Sequence, residues 1–128
     1  MHISRSYKRA GKYLMEHQLI QLKLNEIHML TEALRSYVLR VAWLHDRKEH
    51  SANAGLVMNY STDVIQRVTR LNMEIHGAEG CMMNARVEKL VRDAMVWTHL
   101  AGDTVQRVKV LRRLGKGGPA AAGIAGSD

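Results

Sequence analysis

Residues 87–103 read VEKLVRDAMVWTHLAGD, and the Asp103 that closes the run is the first side chain here to weigh as a proton acceptor. A carboxylate at a helix junction has two uses. It can take a proton from a substrate held within hydrogen-bond reach, or it can accept a backbone N–H of the next helix as its N-cap. Asp103 stands just before TVQRVKVLRRL, so the cap is its expected role. Seven histidines invite a metal reading. Bundle metal sites use Glu-x-x-His, which puts both ligands on one helix face. No Glu in this chain has a His three residues on, and Glu26/His28 and Glu74/His76 fall on different faces. No metal site is expected. Gly115–Gly118 is not a phosphate loop, because Lys116 precedes Gly rather than Ser or Thr and no strand leads into it. Cys81 is the only cysteine, lies in no nucleophile setting and can make no internal disulfide.

The formal net charge of +7 favours anionic partners: nucleic acid, a membrane surface or a phosphate-bearing cofactor. Lys8, Arg9 and Lys12 form one basic group; Arg107, Lys109, Arg112 and Arg113 form another. Aromatic residues make up 5% and none alternates with these charges as a stacking platform needs, so no nucleic-acid binding is expected. A basic helical interaction module is kept as an alternative. No apolar run approaches the roughly 20 residues of a membrane span. The N-terminus has no apolar segment of signal-peptide type, and MHISRSYKRAGKYL is taken as part of the domain rather than a transit peptide. With one cysteine, a reducing, cytoplasmic setting is the expectation.

These residues need elements to position them. A chain of 128 residues suits one domain and can bury roughly 65–70% of its unfolded surface. Ile20, Leu24, Ile27, Thr31, Leu34, Val38 and Val41 form a stripe that predicts one long helix over 14–48, widened by Leu30, Tyr37 and Leu44. Residues 46–55 are polar and small and read as the connection. Val57, Tyr60, Val64, Val68, Leu71 and Ile75 mark a second helix over 56–76, with Gly77 as its left-handed C-cap. Residues 77–86 form a loop. A third helix covers 87–97, supported by the i,i+4 pairs Glu88–Arg92 and Lys89–Asp93. Gly102 breaks it, and a last helix follows Asp103 to Leu114 with Val105, Val108 and Leu111 inward. No strand-length alternation occurs. Residues 115–128 hold the only proline, Pro119, and read as a flexible Gly/Ala-rich tail. The expected fold is all-α, a four-helix up-down bundle over residues 1–114.

Three blocks together resemble the acyl-CoA dehydrogenase family. SYKRAGKYLMEHQLIQLKL is similar to its segment with Glu-Arg, Phe-Gly and a following Gln. NMEIHGAEGCM is similar to its Gln-Ile-Leu-Gly-Gly-x-Gly loop, and VEKLVRDAMVWTHLAGD to its Val-Glu-Lys-Leu-x-Arg-Asp-Ala run leading into Glu-Gly-Thr. The blocks keep the family's order and span roughly residues 6–114. The resemblance implies the C-terminal helical domain, which in that family contacts FAD and supplies much of the tetramer interface. It implies cofactor-contacting positions at Gln18, Glu74, Gly77, Gly102 and Asp103, an acyl-CoA substrate in the full-length context, and a homo- or hetero-oligomer.

The departures matter as much. The family's pyrophosphate-binding Arg falls on Tyr7, with Arg5 or Arg9 as substitutes, and the Phe of Phe-Gly is Ala10. The loop Gln is Glu74, whose charge near a phosphate needs a cation such as Arg70, and the second loop Gly is Ala78. The base of many members, the Glu of Glu-Gly-Thr, is Ala101, which has no proton acceptor. Asp103, two residues on, points elsewhere. Catalytic residues are therefore expected to be absent. The family's N-terminal helical and middle β-domains have no counterpart here, so the chain is expected to be a fragment, a truncated product or a partner subunit, inactive alone.

Overall fold

The protein is described by a computed structural model that covers residues 8–49, 53–101 and 103–117. Four helices form the expected bundle: α1 (Gln18–Asp46), α2 (Asn53–His76), α3 (Val87–Ala101) and α4 (Thr104–Gly117). α4 runs three residues beyond the expected end, and residues 118–128 of the expected tail lie outside the described residues. None of the described helices is long and apolar enough to cross a membrane.

The chain before α1 differs from expectation. Two short strands, β1 (Lys8–Arg9) and β2 (Lys12–Tyr13), pair antiparallel with Lys8 opposite Tyr13 and Arg9 opposite Lys12. Ala10 (φ 51°) and Gly11 (φ 79°) turn the corner. Two central residues at positive φ make the mirror-image turn that matches the twist of a hairpin. Strands of two residues are too short to leave an alternating pattern, so only Ala10-Gly11 marks them. A 3₁₀ turn over Leu14–Glu16 follows, and the Glu16 carboxylate accepts the Tyr13 N–H at 2.9 Å. His17 is extended and is the N-cap of α1, which starts at Gln18 rather than at residue 14.

α2 is the central element. α1 packs along it on one side, α3 and α4 on the other. The core gathers around it: Val57, Val64, Leu71 and Ile75 from α2, Val87 and Ala94 from α3, and Val110 from α4, all buried. α1 has no fully buried residue. Its inner line is half-buried and follows Ile20, Leu24, Ile27, Leu30, Leu34, Tyr37, Val41 and Leu44. Thr31 and Val38, expected in that line, are exposed. Thr31 instead turns its hydroxyl back to the Ile27 carbonyl at 2.7 Å. Tyr37 takes the contact because its ring meets Tyr60 of α2, with centroids 6.1 Å apart.

α4 is rotated from its expected setting. Val105, Val108 and Leu111 face outward at 59%, 41% and 65% exposure, while Arg107, Val110 and Leu114 face α2. Two contacts set that rotation. Arg107 forms a two-point ion pair with Asp63. Val110 lies against Gly55, where an added Cβ would come within 2.5 Å of Val110 Cγ2. Gly55 is thus what lets α4 lie so close to α2.

Candidate functional site

The N-terminal hairpin, the start of α1 and the end of α2 meet at one end of the bundle. Tyr37 faces Tyr60, and Lys23 faces Glu74, so α1 and α2 are antiparallel. That register puts Gln18, exposed at the first position of α1, level with the turn at 77–81. Gly77 carries φ 61°, the left-handed C-cap expected of it. Arg9 reaches across from the hairpin: an added Cβ at Gly77 would lie 3.9 Å from Arg9 Nη1. The hairpin is held there by His17, whose Nε2–H donates to the Arg9 carbonyl at 3.1 Å. Gln21 Nε2 donates to the Met15 carbonyl at 2.9 Å and ties the 3₁₀ turn to α1. Lys8 stands 4.7 Å over the Tyr13 ring. The result is a basic ledge from Arg9 and Lys12, which share one face of the hairpin, beside a glycine turn.

Glu74 does not leave its charge open in this ledge. Lys23 Nζ lies 2.8 Å from its carboxylate, in place of the expected Arg70. Lys23 holds the Glu74 carboxyl below its ordinary value, with help from Arg67. One turn further along, Arg67 binds both oxygens of Glu26 at 2.6 and 3.0 Å. That hydrogen-bonded pair lowers the Glu26 carboxyl as well. Two ion pairs therefore clasp α1 to α2 directly below the ledge.

Asp103 belongs elsewhere. Its Oδ1 accepts the Gln106 N–H at 2.8 Å, the third position of α4, which is N-cap geometry. Gln66 of α2 donates to Thr98 of α3, and Asp63 of α2 binds Arg107 of α4. The α3–α4 junction therefore lies beside the middle of α2. At 1.5 Å per residue, Gly77 is about 20 Å from Asp63 along that helix. The structure brings Gln18, Glu74 and Gly77 together and keeps Asp103 apart from them. Gly102 lies outside the described residues, as do Tyr7 and Arg5. Expectation missed His17 and Lys23. The Ala10-Gly11 turn and the antiparallel register of α1 and α2 were the signals that lead to them. Among the described residues, no group of three or more His, Cys, Asp or Glu side chains is placed to hold a metal ion.

Comparison with known proteins gives this geometry its family. The family model described as acyl-CoA dehydrogenase, C-terminal domain, matches residues 1–115. The chain belongs to the acyl-CoA dehydrogenase family, as its C-terminal domain. It is 29% identical over 109 residues to the probable acyl-CoA dehydrogenase YngJ of Bacillus subtilis strain 168, covering 84% of this chain and 29% of that protein. It is 30% identical over 113 residues to cyclohexane-1-carbonyl-CoA dehydrogenase of Geobacter metallireducens, covering 87% of this chain and 30% of that protein. Among solved structures, the prolyl acyl carrier protein oxidase AnaB superposes with a TM-score of 0.81 at 29% identity, over 89% of this chain and 31% of that chain. The acyl-CoA dehydrogenase C-terminal domain described here thus spans about three tenths of the length of these relatives. Neither a nucleic-acid module nor a separate non-catalytic subunit is favoured by these matches.

Proposed function

We infer that this domain contributes one wall of an FAD site and an assembly face in an acyl-CoA dehydrogenase-like flavoprotein, and that it supplies no catalytic base. The placement of Arg9 over Gly77, level with Gln18, carries the reading. The arrangement fits a dinucleotide: the bare glycine turn allows close backbone approach, and Arg9 with Lys12 offers positive charge to phosphates. Gln18 presents both a donor and an acceptor. Glu74 is neutralised by Lys23 and adds no net repulsion. FAD, when bound, accepts the hydride of α,β-dehydrogenation of an acyl-CoA. The same reaction needs a carboxylate to take the α-proton. Ala101 stands at that aligned position, and the Asp103 carboxylate is engaged with Gln106 N–H. The proton acceptor therefore belongs to another segment or to a partner subunit.

Assembly follows from α1. Leu22, Met29, Leu39 and Trp43 lie on the side of α1 away from α2, at 52% exposure or more. An apolar strip of this length is covered in a soluble oligomer. The purified 128-residue chain should titrate FAD fluorescence weakly, reduce no dye with acyl-CoA, and sediment as a dimer or larger. Arg9→Ala and Gln18→Ala should each weaken the flavin titration by about tenfold, the value of one charge-assisted or buried hydrogen bond. Unchanged titration in both variants would reject the flavin wall. Stoichiometric bound flavin with turnover would reject inactivity alone, and a clean monomer at high concentration would reject the assembly face.

A further inference from the structure

We propose that the outward face of α4 docks an acidic amphipathic helix of a partner protein. Because Arg107, Val110 and Leu114 are turned to α2, the opposite side of the helix carries Val105, Val108, Lys109 and Arg112. A shallow groove of about 280 Å³ runs along it, lined by Thr104, Val105, Val108, Lys109 and Arg112. Val105 and Val108 remain 59% and 41% exposed, and Leu111 at the margin 65%. α4 contains no Asp or Glu. The ion pairs among the described residues employ Lys23, Arg67, Lys89, Arg92 and Arg107, and leave Lys109, Arg112 and Arg113 without a carboxylate. Cations near the end of a helix offset its dipole, which accounts for Arg113. It does not account for two exposed valines one turn N-terminal to Lys109 and Arg112 on the face turned away from α2.

The occupant follows from charge and shape. Valines spaced i,i+3 form a short ridge that fits the groove of a second helix. The cations one turn beyond the valines, Lys109 and Arg112, call for acidic residues at the matching end of that helix. A second copy would bring the same cations against themselves. A bilayer-seeking helix carries Trp, Phe or several Leu on its apolar face, whereas this face has two valines at its centre. Nucleic acid would leave the valines without a role.

The test uses the whole chain and a fluorescein-labelled 15-residue helical peptide with leucines at i, i+4 and i+7 and glutamates on both flanks. Anisotropy at low salt should show saturable binding. A peptide of the same composition with the leucines scattered should bind about tenfold more weakly. Lys109→Glu/Arg112→Glu should lower affinity by about tenfold, and Val108→Asp by a similar factor. Arg35→Glu/Arg86→Glu, at two exposed positions and with the same change in net charge, should leave affinity within about twofold; circular dichroism confirms that each variant is folded. Equal loss in both charge-reversed variants, or equal binding of the scattered peptide, would reduce the effect to bulk charge and overturn the proposal. Binding to vesicles with 30% phosphatidylserine that is abolished by Val108→Asp would assign the face to a membrane. Loss of self-association in Val108→Asp would assign it to a second copy.

Discussion

Gly55→Ala tests the packing that orients α4. The new Cβ would lie 2.5 Å from Val110 Cγ2 and 3.3 Å from Cγ1. Ordinary carbon contacts sit at about 3.5–4.0 Å, so the first is short by about 1 Å. Val110 is 9% exposed and cannot escape by rotation, because a β-branched side chain has one strongly preferred rotamer in a helix. α4 must move instead. Overpacking of this kind costs about 1–3 kcal/mol, while glycine to alanine inside a helix returns up to about 1 kcal/mol. The expected result is a net loss of about 1–2 kcal/mol. For a chain of this size each kcal/mol lowers Tm by about 4 °C. Urea unfolding followed by circular dichroism measures it, together with Val110→Ala and the double variant. Val110→Ala alone should lose about 2 kcal/mol through the cavity it opens. The double variant should lose less than the two singles combined by at least about 1 kcal/mol, since its second change removes the clash. A Gly55→Ala protein as stable as the parent, with additive singles, would mean that Gly55 and Val110 are not in contact and that the rotation of α4 has been misassigned.

Two further outcomes follow from local geometry. Asp103→Ala should cost about 1 kcal/mol of thermal stability through loss of the α4 cap, whereas Asp103→Asn should stay within a few tenths; equal effects of the two would argue that the carboxylate has another partner. Stability should also fall in acid. Glu26 is held below its ordinary 4.5 chiefly by the hydrogen bond from Arg67, and Glu74 chiefly by that from Lys23. The unfolded chain therefore takes up these protons at higher pH than the folded one. The contribution is fully present above about 4.5 and is lost as pH falls through the folded values. Lys23→Ala should flatten part of that acid slope, and 1 M NaCl should flatten it further. A urea midpoint that does not change between pH 6 and pH 3.5 would reject the two clasps.

The features legible from the chain alone are those carried by neighbours in sequence. Asp103 caps the helix it precedes, Gly77 turns where its helix ends, and Glu88–Arg92 and Lys89–Asp93 pair one turn apart at 2.7 and 2.6 Å. Each is decided within a few residues. Features decided across the bundle were not legible. α4 offers two apolar lines, 105–108–111 and 107–110–114, and periodicity permits either. Only Gly55 and Asp63, some 45 to 55 residues upstream, select the second. The same holds for α1, where Thr31 and Leu30 compete for one position and Tyr60 settles the contest by receiving Tyr37. The partner of Glu74 was sought on its own helix, at Arg70, but it lies on α1.

The same distinction bears on the candidate site, because its two halves depend on different contacts. The ledge of Arg9, Gln18 and Gly77 is held by His17, by the 3₁₀ turn and by the Lys23–Glu74 and Glu26–Arg67 clasps, all between the hairpin, α1 and α2. The α3–α4 junction is held by Gln66–Thr98, Asp63–Arg107 and the Gly55–Val110 contact, on the other side of α2. No residue is shared between the two sets, which come nearest where Arg67 and Gln66 adjoin on α2. Gly77 and the α3–α4 junction beside Asp63 lie about 20 Å apart along α2, and sites that far apart that share no partner respond to substitution almost independently. An alanine at position 101, the best helix former at the end of α3, therefore leaves the basic ledge undisturbed, whatever side chain the proposed reading would require there. The proposed flavin wall and the proposed absence of a base are for this reason compatible in one domain: the contacts that hold the ledge do not pass through position 101.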